Sequence, residues 1–266
     1  MLYFIRKKKG RHYMETIALR QFDPLYMWLD IGFLVIFTLL LLWQKKYSAV
    51  LVGALAGILY MIVDYGIFNL VCHSRSISDG YSLFFVLLWM SISYGFTNFV
   101  WIWLWISKDR NLKEWSFLIL MWWFVCPLIT DTFKGNNTPV TISRTTGSYH
   151  GYMALILLIG YVFVLMWNMA HKDKKEQMPL LWMLSIGILV QLGWEGFLLI
   201  GGVRSAGFNL SQAVHTLITN SLLETNLGMP YIYCIYIWYS TRFTPELKKR
   251  KEKITFMEAL RENNSL

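Results

Sequence analysis

Seven apolar stretches, each long enough to cross a bilayer and joined by short connections, constrain this chain more than any other feature. They run from about Leu25 to Trp43, Tyr47 to Cys72, Tyr81 to Ile106, Trp115 to Thr130, Tyr149 to Met169, Leu180 to Val203 and Ala213 to Tyr239. A helical span needs about 20 apolar residues, and hydrocarbon admits only structures that satisfy their own backbone hydrogen bonds. The expected fold is all-α, a polytopic membrane helical bundle with seven transmembrane helices over 25–241. A basic N-terminal tail (1–24) precedes it and a charged cytoplasmic tail (242–266) follows, with a short surface helix expected over Glu246 to Leu260. Composition agrees: 15% of the 266 residues are charged, against roughly 25% in an average soluble domain.

Cationic side chains give the orientation. Lys45, Lys46, Lys108, Arg110, Lys113, Lys172, Lys174, Lys175 and the tail from Arg242 to Lys253 fall on one side, and only Arg75, Lys134, Arg144 and Arg204 on the other. Short cytoplasmic loops carry the excess of Lys and Arg, so the N-terminus is expected outside and the C-terminus in the cytoplasm. The cluster Arg6 to Arg11 runs against this assignment and is outvoted; Met14 is an equally good initiator. The net charge of +9 is read as topology and attraction to anionic membrane lipids rather than nucleic-acid binding. The setting expected is the plasma membrane of a bacterium, with the oligomeric state open. Cys72, Cys126 and Cys234 are read as buried, reduced thiols, and the N-terminal residues do not form a signal peptide.

Within the segments, Gly53, Ala54, Ala56 and Gly57 are small enough for close helix approach. Ser91, Thr97 and Asn98 share a face of the third segment, and Gly228 and Pro230 mark a kink in the seventh. Lys134 to Ser148 reads as a polar loop without apolar periodicity, and Trp101, Trp103, Trp105, Trp115, Trp122 and Trp123 as an interfacial belt.

Asp64, Glu195 and Glu224 are the candidates for chemistry. An acid in a span costs roughly 2.5 to 3.5 kcal/mol on insertion scales, so it is kept for a protein interior, a cavity or a substrate. Glu195 and Glu224 have no Lys or Arg within helical reach on their own segments. Gln191 stands one turn before Glu195, and Asn220 one turn before Glu224, giving each carboxyl an amide on its own face. Such acids, away from cations, are expected to stay protonated and able to give up a proton. Tyr65, Asn98, Gln191, Trp194, Asn220 and Tyr231 are the expected substrate-lining residues, the aromatic faces suiting a carbocation. His73, Asp131, His150 and His215 gather at outer segment ends but lack HxxxH or HxxE spacing, so no metal or other cofactor is expected.

The run Val63-Asp64-Tyr65-Gly66-Ile67-Phe68 on the second helix, with Glu224, Tyr231, Tyr233, Cys234 and Trp238 on the seventh, resembles the small membrane-bound terpene cyclases of fungal meroterpenoid and indole-diterpenoid pathways and their bacterial relatives. The resemblance covers most of the chain. It implies that Asp64 and Glu224 act as a pair that protonates an alkene or epoxide on a prenyl chain, after which rings close. The expected function is therefore proton-initiated cyclisation or isomerisation of a lipid-soluble substrate, a lyase or isomerase activity. A proton- or cation-coupled small-molecule transporter and a non-catalytic partner subunit remain as alternatives.

Overall fold

The structure is a computed structural model, and it describes residues 19–144, 150–204, 210–240, 242–243 and 255–265. Helix α1 (Pro24–Trp43) starts where Asp23 caps it, its side chain accepting from the Leu25 amide at 2.8 Å, with Pro24 in the first turn, where no N–H is missed. The remaining helices are α2 (Tyr47–Met61), continued by a π-helical stretch over Ile62–Val71, then α3 (Leu83–Ile106), α4 (Leu112–Phe133), α5 (His150–Ala170), α6 (Leu180–Ile200), α7 (Leu210–Ser240) and α8 (Phe256–Ser265). Among the described residues, six helices are long and apolar enough to cross a membrane: α1, α2 with its π continuation, and α3 to α6. The protein is an integral membrane helical bundle. The seventh stretch also forms a helix, of 31 residues, whose apolar character is diluted by Asn220, Ser221, Glu224, Thr225 and Asn226. It runs through Gly228 and Pro230 as one element.

α3 is the most buried of the six helices, and α2 lies closest against it. Glycines make the approach possible: a Cβ on Gly95 would meet the Gly57 Cα at 2.8 Å and the Ala56 carbonyl at 3.0 Å. Three of the four expected small residues are buried here, while Ala54 faces outward. Because α3 is central, its aromatic run packs inward. Trp101, Trp103, Trp115 and Trp123 are core residues and not the interfacial belt expected of them. Ser91, Thr97 and Asn98 are likewise all buried. An acid the sequence did not single out, Asp30 on α1, accepts from the indoles of Trp89 (3.0 Å, α3) and Trp122 (2.9 Å, α4) and from Ser93 Oγ (2.5 Å). That cage locks α1 to α3 and α4.

The all-α expectation needs one correction. Three short strands, β1 (Leu19–Phe22), β2 (Arg75–Ile77) and β3 (Val140–Arg144), form an antiparallel sheet in the order β1-β3-β2. They come from the segment before α1, the α2–α3 connection and the supposedly irregular 134–148 loop. Pairing of Arg20 with Ile142, Phe22 with Val140, Arg75 with Arg144 and Ile77 with Ile142 puts these residues on one face, since side chains alternate between faces along a strand. Phe22, Val140 and Ile142 on that face are buried, so Arg20, Arg75 and Arg144 share the buried face. Gln21 N–H donates to the Val203 carbonyl at 3.0 Å, tying the sheet to the residues after α6.

At the opposite end Lys46 pairs with Asp109 across the α1–α2 and α3–α4 connections. α8 docks there, Asn263 Nδ2 donating to the Tyr233 hydroxyl at 3.0 Å and Arg261 pairing with Glu176. The tail helix described spans Phe256–Ser265 and overlaps the end of the expected Glu246–Leu260, of which 246–254 fall outside the described residues. The basic N-terminal cluster Arg6 to Arg11 also lies outside them.

Candidate functional site

Glu195 sits near the sheet end of α6 and is 2% exposed. Arg204, just beyond the helix, donates to it through Nε and Nη2, each bond 2.5 Å long. Arg20 of β1 approaches Oε1 at 3.9 Å. Two planar groups joined by parallel N–H···O bonds make the strongest form of guanidinium–carboxylate pairing, so Glu195 is an anchored anion. Helical reach on a single segment could not reveal this, because both arginines lie outside the span. The expectation of an acid away from cations is therefore corrected for Glu195.

It is corrected for Asp64 as well. The wide turns of the π-helical stretch place this carboxylate, buried, under the sheet. There it accepts from Arg75 Nε at 2.6 Å and from Arg144 Nη2 at 2.5 Å. Arg75 and Arg144 are directly opposed across β2 and β3, where two like charges repel; Asp64 bridges them. The Arg75 guanidinium also lies 4.5 Å from the Phe68 ring centroid.

Glu224 differs from both. It forms no ion pair among the described residues and is only partly buried. Gln191 Nε2 donates to its Oε2 at 2.8 Å and lies 3.4 Å from Glu195 Oε1, so one amide spans both acids. Thr225 Oγ1 donates to Gln191 Oε1 at 2.6 Å and fixes which way that amide points. Asn220 Nδ2 donates to Glu195 Oε1 at 3.3 Å. The amides therefore cross over: the one expected beside Glu195 favours Glu224, and the one expected beside Glu224 serves Glu195. Tyr60 on α2 stands within electrostatic reach of Glu224, Arg144 and Asp64.

The other expected residues divide. Trp194 packs against Tyr94 with ring centroids 4.2 Å apart and planes tilted by 57°, and Tyr94 carries the Arg20 guanidinium over its ring at 5.1 Å; this aromatic pair belongs to the site. Asn98 is buried on α3 with its Oδ1 unpartnered among the described residues. Tyr65 packs edge-on against Phe84, an exposed residue, so it is not a lining residue. Tyr231, 40% exposed, donates to the Ile156 carbonyl on α5 at 2.9 Å and is corrected likewise. Both point away because neighbouring positions on a helix face different directions. His73 is exposed, and the side chains of His150 and His215 lie outside the described residues.

The residues that sequence reasoning missed are the arginines. In the sequence Arg75, Arg144 and Arg204 read only as topological charges, and Arg20 as part of a tail. Their signal was their scarcity on that side of the chain. Burial, and after it the like charge of Arg204, pushes the Arg20 guanidinium down to about 10, which leaves it cationic at neutral pH.

Fold and site together define an integral membrane helical bundle with a buried arginine–carboxylate cluster at its sheet end. Comparison of the chain with family models, curated proteins and solved structures gives no match.

Proposed function

We propose that this chain is a bacterial plasma-membrane enzyme that exchanges a proton between Glu224 and a lipid-soluble substrate, causing cyclisation or isomerisation. α7 is its seventh span in this reading, with the N-terminus outside and the C-terminus cytoplasmic, a topology that the Lys and Arg distribution of the loops supports. The observation that carries the reading is the contrast among the acids. Asp64 and Glu195 are committed to arginines, whereas among the described residues Glu224 is held by the Gln191 amide alone and keeps accessible surface.

In the reaction, the Glu224 carboxyl gives its proton to a substrate alkene or epoxide: a C–H or O–H bond forms as the π or C–O bond breaks, leaving a carbocation. Ring closure or migration follows, and loss of a neighbouring C–H proton to the Glu224 carboxylate restores the acid. The product is an isomer of the substrate. Tyr60, against which Phe99 packs edge-on at 5.8 Å, supplies an aromatic ring within electrostatic reach of this carboxyl. Glu195 acts as an orienter through Gln191, and Asp64 holds the sheet in place. General acid catalysis supplies typically 10² to 10⁴-fold, with the remainder from shaping the substrate.

Coupled transport is the second reading. It draws on the π-helical stretch over Ile62–Val71 that carries Asp64, since such irregular turns accompany function and motion. Proteoliposomes prepared in D₂O and loaded with a panel of unsaturated and epoxidised prenyl lipids separate the two. The enzyme converts a lipid into an isomer, with carbon-bound deuterium where an alkene was protonated and a new hydroxyl where an epoxide was opened; a transporter leaves every lipid chemically unchanged.

A further inference from the structure

The cluster contains four guanidinium groups, Arg20, Arg75, Arg144 and Arg204, and three carboxylates, Asp64, Glu195 and Glu224. The pairing is uneven. Arg204 occupies both oxygens of Glu195 at 2.5 Å, which leaves Arg20 a 3.9 Å approach to the same group. Arg20 is 6% exposed, and its Nη1 has no hydrogen-bond partner among the described residues. The buried Nε of Arg144 is unpartnered as well. An unsatisfied donor on a buried charged group is among the costliest defects a fold can carry. These two lie on one sheet face, Arg20 opposite Ile142 and Arg144 two residues along the same strand.

We propose that Arg20 and Arg144 form a binding site for the anionic headgroup, phosphate or carboxylate, of an amphiphile whose chain lies in the bundle. A guanidinium fork matches the spacing of oxygens on such groups and holds them by two parallel bonds. The headgroup supplies the missing acceptors and balances the surplus positive charge. Both arginines stand within electrostatic reach of Glu224, so a head anchored at the sheet fixes which part of the chain reaches that carboxyl. As a substrate site the inference rests on the acid–base reading above; as an anion site it stands without it.

The test uses the full chain in nanodiscs of zwitterionic lipid, titrated with dodecyl phosphate, dodecanol and inorganic phosphate. Saturable binding of dodecyl phosphate, absent for dodecanol and weakened about tenfold or more in Arg20→Lys or Arg144→Lys, is the expected result, because lysine keeps the charge but loses the fork. Inorganic phosphate that binds as tightly as dodecyl phosphate, with the same sensitivity to both variants, keeps the anion site and assigns it to a free anion. Equal binding of dodecanol and dodecyl phosphate, or wild-type affinity in both lysine variants, overturns the proposal. Should Arg20→Lys not fold, Arg144→Lys decides alone. Glu224→Gln binds dodecyl phosphate at least as tightly as the wild type. Wild-type protein that binds dodecyl phosphate but rearranges no lipid refutes the acid–base reading and leaves the anion site intact.

Discussion

Arg204 reaches back nine residues from beyond the end of α6 to hold Glu195 by two bonds of 2.5 Å each. Removing one member strands a buried charge, while removing both leaves only the longer Arg20 approach to Glu195 without its carboxylate. Arg204→Gln is expected to lower stability by about 3 to 5 kcal/mol, and Arg204→Met with Glu195→Leu to recover part of the loss. Thermal unfolding in detergent measures both. A double variant no more stable than the single one would contradict the pairing.

Asp64 bridges two arginines that face each other across β2 and β3. Asp64→Asn leaves the cations opposed, and the sheet should loosen before the helices do. Amide hydrogen exchange in β2 and β3 is expected to quicken while α3 stays protected. Unchanged exchange in the strands would show that the bridge does not hold them.

Gly95 and Gly57 set the spacing of α2 and α3. Gly95→Ala drives a methyl into backbone 2.8 Å away, and overpacking of this kind costs typically 1 to 3 kcal/mol. Gly32→Ala on α1, with nothing within 4 Å of the new atom, is the control and should be neutral or mildly stabilising. The pair is compared by melting temperature at equal detergent concentration.

Trp122 donates to Asp30 at 2.9 Å from α4. Trp122→Phe keeps an aromatic ring but removes the N–H, and a lost hydrogen bond to a charged group costs about 1.5 to 3 kcal/mol. Asp30→Leu with Trp89→Phe, Ser93→Ala and Trp122→Phe should restore stability relative to Trp122→Phe alone, since no polar member of the cage is then left without its partner. Failure of that restoration would mean the cage is incidental to the packing.

How much of this was legible in the chain follows from the range of the interactions. Helices α1, α3 and α6 were readable nearly to the residue, because apolar length is a local property. The Gln191–Glu195 and Asn220–Glu224 pairings were readable as one-turn neighbours, but not the exchange of partners across α6 and α7, which depends on how the two helices pack. Gly187 allows it, since a Cβ there would collide with the Asn226 side chain. The sheet was not legible at all. Its strands are four, three and five residues long, too short for a periodic signal, and they pair across large sequence separations. With the sheet went the arginines, and with them the charge state expected of Asp64 and Glu195.

Glu224 is the working acid of the proposed reaction, and conversion of the lipid to its isomer by matched, folded variants tests that most directly. With proteoliposomes and the substrate lipid identified in the wild type, Glu224→Asp should retain partial turnover and Glu224→Gln should lose it by at least about 100-fold, both with wild-type melting temperature. Wild-type turnover by folded Glu224→Gln would contradict the assignment.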